Sequence, residues 1–291
     1  MQAPIREEEY RNFRRFLEES TGILLGDNKH YLVASRLHRL LEEHQVSSIS
    51  ELLTRLREDR QGSLRIRVVE AMTTNETQWF RDVYPYEILK NLIFPELVRV
   101  GARQARIWSA ACSTGQEPYS ISMVAEEFLA KNTSALPGGV SILATDLSSK
   151  AIHEARRAIY NTGSVARGLS EERRRRFLIP AQENGRQVWE VRPEIRSRVT
   201  FREINLIQPW TGIGRFDVVF CRNVLIYFSA ELKQNLLSRL AGALNAEGWL
   251  LLGASESIAG VTDSLKMIRA ERSVVYRSVI ERLSTPPSGR T

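Results

Sequence analysis

Polar side chains that could bind a small ligand follow two short apolar segments of the chain. Gly115 and Glu117 come after the apolar run 106–111, and Asp146 directly follows the run 140–145. If both runs are parallel strands, their carboxyl ends meet at the edge where open α/β sheets bind ligands. A carboxylate there could accept hydrogen bonds from both hydroxyls of a ribose. The alternative is that Asp146 only caps the helix that follows.

The loop around Gly115 differs from the dinucleotide-binding fingerprint. It contains one glycine where that fingerprint has three, so a pyrophosphate held at the helix N-terminus is poorly supported. A nucleoside ligand without phosphates fits this loop better. The loop and Asp146 together therefore predict a nucleoside-type cofactor, with an ordinary strand-to-helix turn as the alternative.

Two further segments could align a substrate. The segment TTNETQWFRD at 73–82 places amides and hydroxyls beside Trp79 and Arg81, although an interdomain linker with an aromatic anchor would look similar. The segment FDVVFCRNVLIYF at 216–228 is an apolar strand followed by polar residues that include Tyr227. A tyrosine between apolar neighbours is more often part of a core. Both segments are candidate ligand contacts with a purely structural alternative.

The distribution of histidines narrows the reaction class. Of the four histidines only His153 lies beyond the helical start of the chain, on a predicted helix. The sequence therefore predicts no Ser-His-Asp triad, no Cys-His pair and no metal cluster. Methyl transfer to a carboxylate needs no strong base, because a glutamate is ionised at neutral pH and is itself the nucleophile. Such a protein would mainly align the reactants and exclude water.

The elements that position these residues follow two patterns. From residue 5 to about 72 apolar residues recur at helical spacing between three glycines, which predicts four helices with Ser48 and Ser63 as N-caps. After residue 100 apolar runs alternate with helical stretches, which predicts a parallel sheet with helices on both faces and an antiparallel edge hairpin at 265–279. The predicted strands are 106–111, 140–145, 199–203, 216–221 and 249–253, and the predicted helices are 118–131, 149–160 and 230–244.

Composition describes an ordinary globular chain with a local excess of positive charge. The 291 residues are 43% hydrophobic, without the ~18 consecutive apolar residues of a membrane span or the apolar core of a secretory signal, so a cytoplasmic protein is expected. Cys112 and Cys221 are predicted to be reduced, partly buried thiols. The net charge of +7 equals the excess of basic over acidic residues in 156–202, which contains 12 basic and 5 acidic residues. That stretch could guide docking to an acidic protein, a nucleic acid or a membrane surface, or form a solvated helix at 171–176.

Five segments together resemble the chemotaxis receptor methyltransferase family, often called CheR. They are TTNETQWFRD, IWSAACSTGQEPYSISM, ILATDLS, FREINL and FDVVFCRNVLIYF, and the similarity extends to GWLLLGASES at 248–257. The resemblance implies an α/β fold, a class I methyltransferase (Rossmann-like) sheet with an inserted small antiparallel β subdomain and an N-terminal all-α helical domain. The implied divisions are a helical domain at 1–72, a linker at 73–90 that contributes to the cofactor site, a methyltransferase domain at 91–284 with its insertion at about 165–198, and a flexible tail at 285–291.

The resemblance also implies a cofactor and an active site. The cofactor would be S-adenosyl-L-methionine, converted to S-adenosyl-L-homocysteine, with no metal. Asp146 would bind its ribose, and Arg81 and Tyr227 would orient the substrate carboxylate by charge and by a hydrogen bond. The cofactor would be held by the positions Asn75, Thr77, Arg81, Glu117, Asp146, Asn205, Leu206 and Asn223.

The implied substrates are glutamate side chains on the cytoplasmic helices of bacterial chemoreceptors, the methyl-accepting chemotaxis proteins. Lys29, Arg36 and Arg39 project within roughly an 80° arc of a predicted helix and could contact an acidic receptor helix. The alternative is a solvated face balanced by Glu42 and Glu43. A monomeric enzyme recruited to receptor arrays is expected, with no membrane insertion and no nucleic acid partner.

Two rival functions belong to other classes. A nucleic-acid methyltransferase could use the basic stretch, but one acting on exocyclic base nitrogens would carry Asn/Asp-Pro-Pro-aromatic where this chain has CRNVLIYF. A non-catalytic regulator that binds S-adenosylmethionine would not need Arg81 and Tyr227. Some members of the family also bind a receptor peptide through a glycine-rich stretch of the β subdomain. Here that stretch reads Pro180, Ala181 and Gln182, so peptide tethering is not predicted.

Overall fold

Twelve α-helices and ten strands form the part of the chain that the computed structural model describes, residues 5–258, 263–270 and 273–279. A π-helical turn at Leu89–Ile93 joins α5 to α6, and a 3-10 turn at Leu225–Tyr227 precedes α12. The helices are α1 Glu7–Thr21, α2 His30–Glu43, α3 Ile49–Glu58, α4 Ser63–Met72, α5 Tyr84–Ile88, α6 Phe94–Arg99, α7 Gln116–Leu129, α8 Ser149–Arg157, α9 Thr162–Ala166, α10 Glu171–Phe177, α11 Pro193–Arg196 and α12 Ala230–Gly242. The strands are β1 Ala105–Ala110, β2 Val140–Asp146, β3 Ile159–Asn161, β4 Leu178–Glu183, β5 Arg186–Val191, β6 Val199–Glu203, β7 Phe216–Cys221, β8 Leu244–Leu252, β9 Leu265–Ala270 and β10 Ser273–Ser278.

The main sheet has seven strands in the order β6-β2-β1-β7-β8-β10-β9. The first five pair in parallel, and β10 pairs antiparallel with both β8 and β9, as predicted for the edge hairpin. Alternate residues of β1 enter different cores. Ile107 packs on the face covered by α7 and α8, and Trp108 on the face covered by α12. The predicted fold class is confirmed, and the order of the strands reverses between β1 and β7, where a ligand-binding crevice is expected.

The four N-terminal helices are confirmed and have an apolar core of their own. Ser48 caps α3 as predicted. The prediction that Ser63 caps α4 is wrong, because Gly62 is the N-cap, with φ 71°, and Ser63 is the first helical residue. The carboxylate of Asp59 accepts two backbone N–H groups of the first turn, at 2.7 and 3.0 Å, and so takes the role expected of a serine.

The inserted subdomain is a three-stranded antiparallel sheet in the order β3-β5-β4. Its hairpin turn lies at Asn184 and Gly185, both with positive φ, as predicted. The strand β3 was missed, because the predicted helix 149–160 ends at Arg157 and Ala158 turns the chain with φ 56°. The prediction for the last parallel strand was too short, since β8 already begins at Leu244. The turn of the edge hairpin and the predicted tail at 285–291 lie outside the described residues.

Candidate functional site

A cavity lies at the carboxyl ends of β1, β2 and β7, and the α1–α2 loop and the segment 72–78 form its other wall. Apolar side chains such as Leu147, Ile204 and Leu206 lie beside the polar ones. The structure brings into this cavity all the positions predicted to bind a cofactor or to act in catalysis: Asn75, Thr77, Arg81, Glu117, Asp146, Asn205, Leu206, Asn223 and Tyr227.

Asp146 ends β2 and holds two loops together. Its Oδ2 accepts the N–H of Ser113 at 2.8 Å, and its Oδ1 accepts the N–H of Ser148 at 2.9 Å. Burial raises the pKa of Asp146, and hydrogen bonds from the backbone amides of Ser148, Ser113 and Leu147 act in the opposite direction. The N-cap of α8 is Ser148, so the alternative that Asp146 only caps this helix is wrong. A carboxylate has about four acceptor positions, so both oxygens can accept further donors from the cavity.

Glu117 is part of a buried ionic network with Arg222 and Asp82. Arg222 donates to Glu117 at 3.0 Å and to Asp82 at 2.6 Å, and its side chain is 1% exposed. Ser109 donates to the other oxygen of Glu117 at 2.8 Å. Burial disfavours the charged guanidinium, but its interactions with Glu117, Tyr86 and Asp82 outweigh this effect and raise the pKa of Arg222. In this network the charge of Arg222 is paired with those of Glu117 and Asp82, and the ion pairs hold the cavity wall in place.

Arg81 extends from a backbone segment with unusual conformations. Its neighbours Phe80 and Asp82 have φ of 48° and 68°, and Val83 has 55°. Such angles are uncommon outside glycine, and for a β-branched residue they signal strain. Among the described residues the Arg81 guanidinium makes one hydrogen bond, a long one of 3.4 Å to the carbonyl of Glu76. A cation with so few protein partners can bind an anionic group in the cavity.

Asn223 and Tyr227 lie on the loop after β7, and Glu256 holds this loop. The Glu256 carboxylate accepts the N–H groups of Asn223, Leu225 and Gly253, at 2.8, 2.8 and 2.7 Å. The carbonyl of Tyr227 accepts the N–H of Leu24 at 2.8 Å, which joins the loop to the N-terminal helices. Backbone contacts therefore fix Tyr227 in the lining of the cavity.

Comparison with known proteins agrees with this geometry over most of the chain. Residues 8–73 match the family model described as CheR methyltransferase, all-alpha domain, and residues 75–274 match CheR methyltransferase, SAM binding domain. The chain belongs to the CheR methyltransferase family. It is 50% identical over 267 residues to chemotaxis protein methyltransferase 1 of Pseudomonas aeruginosa, covering 91% of this chain and 96% of that protein. It is 48% identical over 271 residues to chemotaxis protein methyltransferase Cher2 of Pseudomonas putida, covering 93% and 98%.

The cavity of this CheR methyltransferase has a donor and acceptor set that fits S-adenosylmethionine. Asp146 offers carboxylate lone pairs suited to ribose hydroxyls, and the apolar side chains around Leu206 offer a surface for a base. Asn205 donates to the carbonyl of Ser20 at 2.8 Å, so the adjoining loop is held against the end of α1. The family and its S-adenosylmethionine-binding domain thus agree with the nucleoside-type cofactor predicted from the strand ends.

The three cations predicted to bind substrate lie in different environments. The guanidinium of Arg36 lines the cavity but donates to the carbonyls of Met72 and Thr73, at 2.5 and 3.2 Å. Arg39 is 90% exposed and pairs with Glu43 one turn away, while the Lys29 ammonium lies 5.9 Å from the Tyr31 ring centre. Arg36 therefore joins α2 to the linker, whereas Lys29 and Arg39 lie outside the described lining of the cavity.

Arg222 and Glu256 were absent from the predicted site, although both shape it. Arg222 directly precedes Asn223, and a charged residue at the end of a buried strand was the available signal. Glu256 lies within the segment GWLLLGASES, but the sequence does not show its contact with the amide of Asn223, 33 residues away. Cys112 and Cys221 are free and buried, in agreement with the prediction of thiols.

Proposed function

We propose that this CheR methyltransferase transfers a methyl group from S-adenosyl-L-methionine to glutamate side chains on the cytoplasmic helices of chemoreceptors. The products are a γ-glutamyl methyl ester and S-adenosyl-L-homocysteine, and the role is chemotactic adaptation. The observation that carries this proposal is that Arg81 and Tyr227 share one cavity with Asp146. A cation and a hydroxyl that could hold a carboxylate thus lie beside the acceptor suited to a ribose.

The cofactor would be held by the side chains around the strand ends. Asp146 would accept the ribose hydroxyls, Leu206 would offer an apolar contact, and the polar groups of the linker and strand loops would complete the cofactor site. These are Asn75, Thr77, Arg81, Glu117, Asn205 and Asn223, all in the cavity lining. When bound, S-adenosylmethionine supplies an electrophilic methyl group on a positively charged sulfur.

Arg81 and Tyr227 would orient the substrate carboxylate. Arg81 offers charge-assisted hydrogen bonds, and the Tyr227 hydroxyl offers one more. The nucleophile is the substrate's own ionised carboxylate, so the reaction needs no protein base. The carboxylates of Glu117 and Asp146 instead accept hydrogen bonds from the protein. Loss of Arg81 should therefore lower the rate chiefly through lost alignment.

The divisions of the chain follow from this reaction. Residues 1–72 would recognise the receptor helix, 73–90 would complete the cofactor site, and 91–284 would carry the methyltransferase domain. In the described residues no helix has the length and apolar character needed to cross a membrane. We propose a monomer in the cytoplasm, recruited to receptor arrays.

Methylation of receptor fragments tests the proposal. The purified protein is incubated with S-adenosylmethionine labelled on the methyl group and with cytoplasmic receptor fragments or the same fragments with target glutamates changed to glutamine. Label that is released by mild base and lost with the glutamates supports the proposal. Base-stable label on added nucleic acid would instead indicate a nucleic-acid methyltransferase, and cofactor binding without transfer would indicate a regulator.

A further inference from the structure

The segment that carries Arg81 is held by the inserted subdomain as well as by the main sheet. The N–H of Trp79 donates to the carbonyl of Arg167 at 3.2 Å, and the Trp79 ring packs edge-on against Tyr160, with 4.9 Å between ring centres. A Cβ at Gly168 would lie 2.0 Å from the Trp79 carbonyl oxygen. The linker therefore lies directly against the loop between α9 and α10, where only glycine fits.

Arg173 of the basic helix α10 contacts the residue before Arg81. Its guanidinium carbon lies 3.9 Å from the centre of the Phe80 ring. The same guanidinium donates twice to Glu127 of α7, at 2.6 and 3.1 Å, and Lys90 donates to Glu127 at 2.8 Å. Burial raises the pKa of Glu127, but Arg173 and Lys90 outweigh this effect and lower it. The flat guanidinium is thus fixed by an ion pair while it covers the ring.

These contacts matter because the backbone on both sides of Arg81 is strained. Phe80 and Asp82 have positive φ, and such conformations persist only when the surroundings hold them. On one side the N–H of Phe80 donates to Ser120 at 3.2 Å and its ring lies under Arg173. On the other side Arg222 binds the Arg81 carbonyl at 2.9 Å and the Asp82 carboxylate at 2.6 Å.

We propose that Arg173 is a positioning residue, which holds Phe80 in its strained conformation so that Arg81 points at the substrate carboxylate. The part that concerns the carboxylate rests on the proposed function. Among the arginines of α10, the described ring contact with Phe80 is made by Arg173. Arg176, on the same helix, packs on Phe177 instead, at 4.9 Å from its ring centre, and serves as a matched control.

The first test compares Arg173→Met with Arg176→Met in receptor methylation. Misplacement of a catalytic group by about 1 Å can lower a rate roughly 100-fold, so we expect kcat of Arg173→Met to fall roughly 10- to 100-fold. The KM for the receptor fragment and the activity of Arg176→Met should change less than about threefold. Phe80→Leu, which leaves the Arg173–Glu127 ion pair intact, should lower kcat to a similar extent. Equal kcat in the two methionine variants would overturn the proposal.

A double-mutant cycle separates positioning from general destabilisation. In an Arg81→Met background, Arg173→Met should lower kcat by less than about twofold, because the cation that it positions is already gone. If the fold losses in kcat of the two single variants multiply fully in the double variant, the inference is contradicted.

Hydrogen exchange tests the structural part without any substrate. In Arg173→Met the backbone amides of 79–83 should exchange hydrogen faster than in the wild type or in Arg176→Met. Unchanged exchange in this segment would overturn the inference. If the wild type methylates no receptor fragment, the proposed function fails and exchange alone decides whether Arg173 holds this segment.

Discussion

The outer face of α2 and the strand-end cavity use the same kinds of charged residue in opposite ways. Arg39 is 90% exposed and pairs with a glutamate of its own helix, whereas Arg222 is 1% exposed and joins Glu117 to Asp82 across three segments of the chain. Exposed pairs contribute about 0–1 kcal/mol, while removing one partner of a buried pair costs about 3–5 kcal/mol. The cavity is therefore a fixed scaffold, and α2 can change its surface at little cost in stability.

The largest expected effect is that of Arg222→Met. The substitution leaves Glu117 buried without its cationic partner, so we expect the free energy of unfolding to fall by about 3–5 kcal/mol. Urea unfolding measures this loss. Arg222→Lys keeps the charge but cannot bridge both carboxylates with the same geometry, and should lie between the wild type and Arg222→Met. A loss below about 1 kcal/mol for Arg222→Met would remove the contrast with α2.

Next in size is the effect of Asp146→Asn on cofactor binding. The amide has one acceptor oxygen instead of two and no charge, so the affinity for S-adenosylhomocysteine should fall about 10- to 100-fold. Titration calorimetry measures the affinity. Asp217→Asn is the matched control, because Asp217 also accepts two donors, from Arg106 and Asn245, but at the opposite end of β7. Equal affinities of the two variants would contradict the assignment of Asp146.

In the N-terminal helices the carboxylate of Glu9 is buried and accepts hydrogen bonds from Arg6 and Ser50. Hydrogen bonds from Arg6 and then Ser50 outweigh partial burial and lower the pKa of Glu9 from 4.5 to about 2. A lowered pKa stabilises the fold above the ordinary value, and the stabilisation is lost as pH falls from about 4.5 towards 2. Glu9→Gln should therefore lower the free energy of unfolding by ~2 kcal/mol at pH 6 and by less at pH 3. Urea unfolding at both pH values measures this, and an equal difference at both would refute it.

The smallest effect is expected for Arg39→Ala. An exposed residue with one partner on its own helix should change the free energy of unfolding by less than about 0.5 kcal/mol. If α2 recognises an acidic receptor helix, the KM of Arg39→Ala for the receptor fragment should rise several-fold, and the rise should shrink at high salt. By contrast, Arg36→Ala should lower the free energy of unfolding by about 1–3 kcal/mol, because it removes the donor that binds two linker carbonyls. An unchanged KM for Arg39→Ala would exclude this residue from recognition.

Local sequence patterns predicted most of the elements because they depend on neighbours in the chain. The predicted strands 199–203 and 216–221 coincide with β6 and β7, and the Asn184-Gly185 turn lies where its positive φ preference placed it. Strand β3 was missed because its three residues are defined by pairing with β5, some thirty residues further along the chain. Helical periodicity up to Tyr160 gave no sign of that partner.

For the site, the sequence by itself determined which polar side chains follow which strands, since apolar runs fix the strands and parallel strands end at one edge. It thereby placed Glu117 and Asp146 near each other. Only the tertiary structure decided which charges are paired. Arg222, Glu256 and Arg36 obtain their roles from partners 105, 33 and 36 residues away. Such pairing depends on burial and on distance in space, which a residue's own neighbourhood in the sequence does not contain.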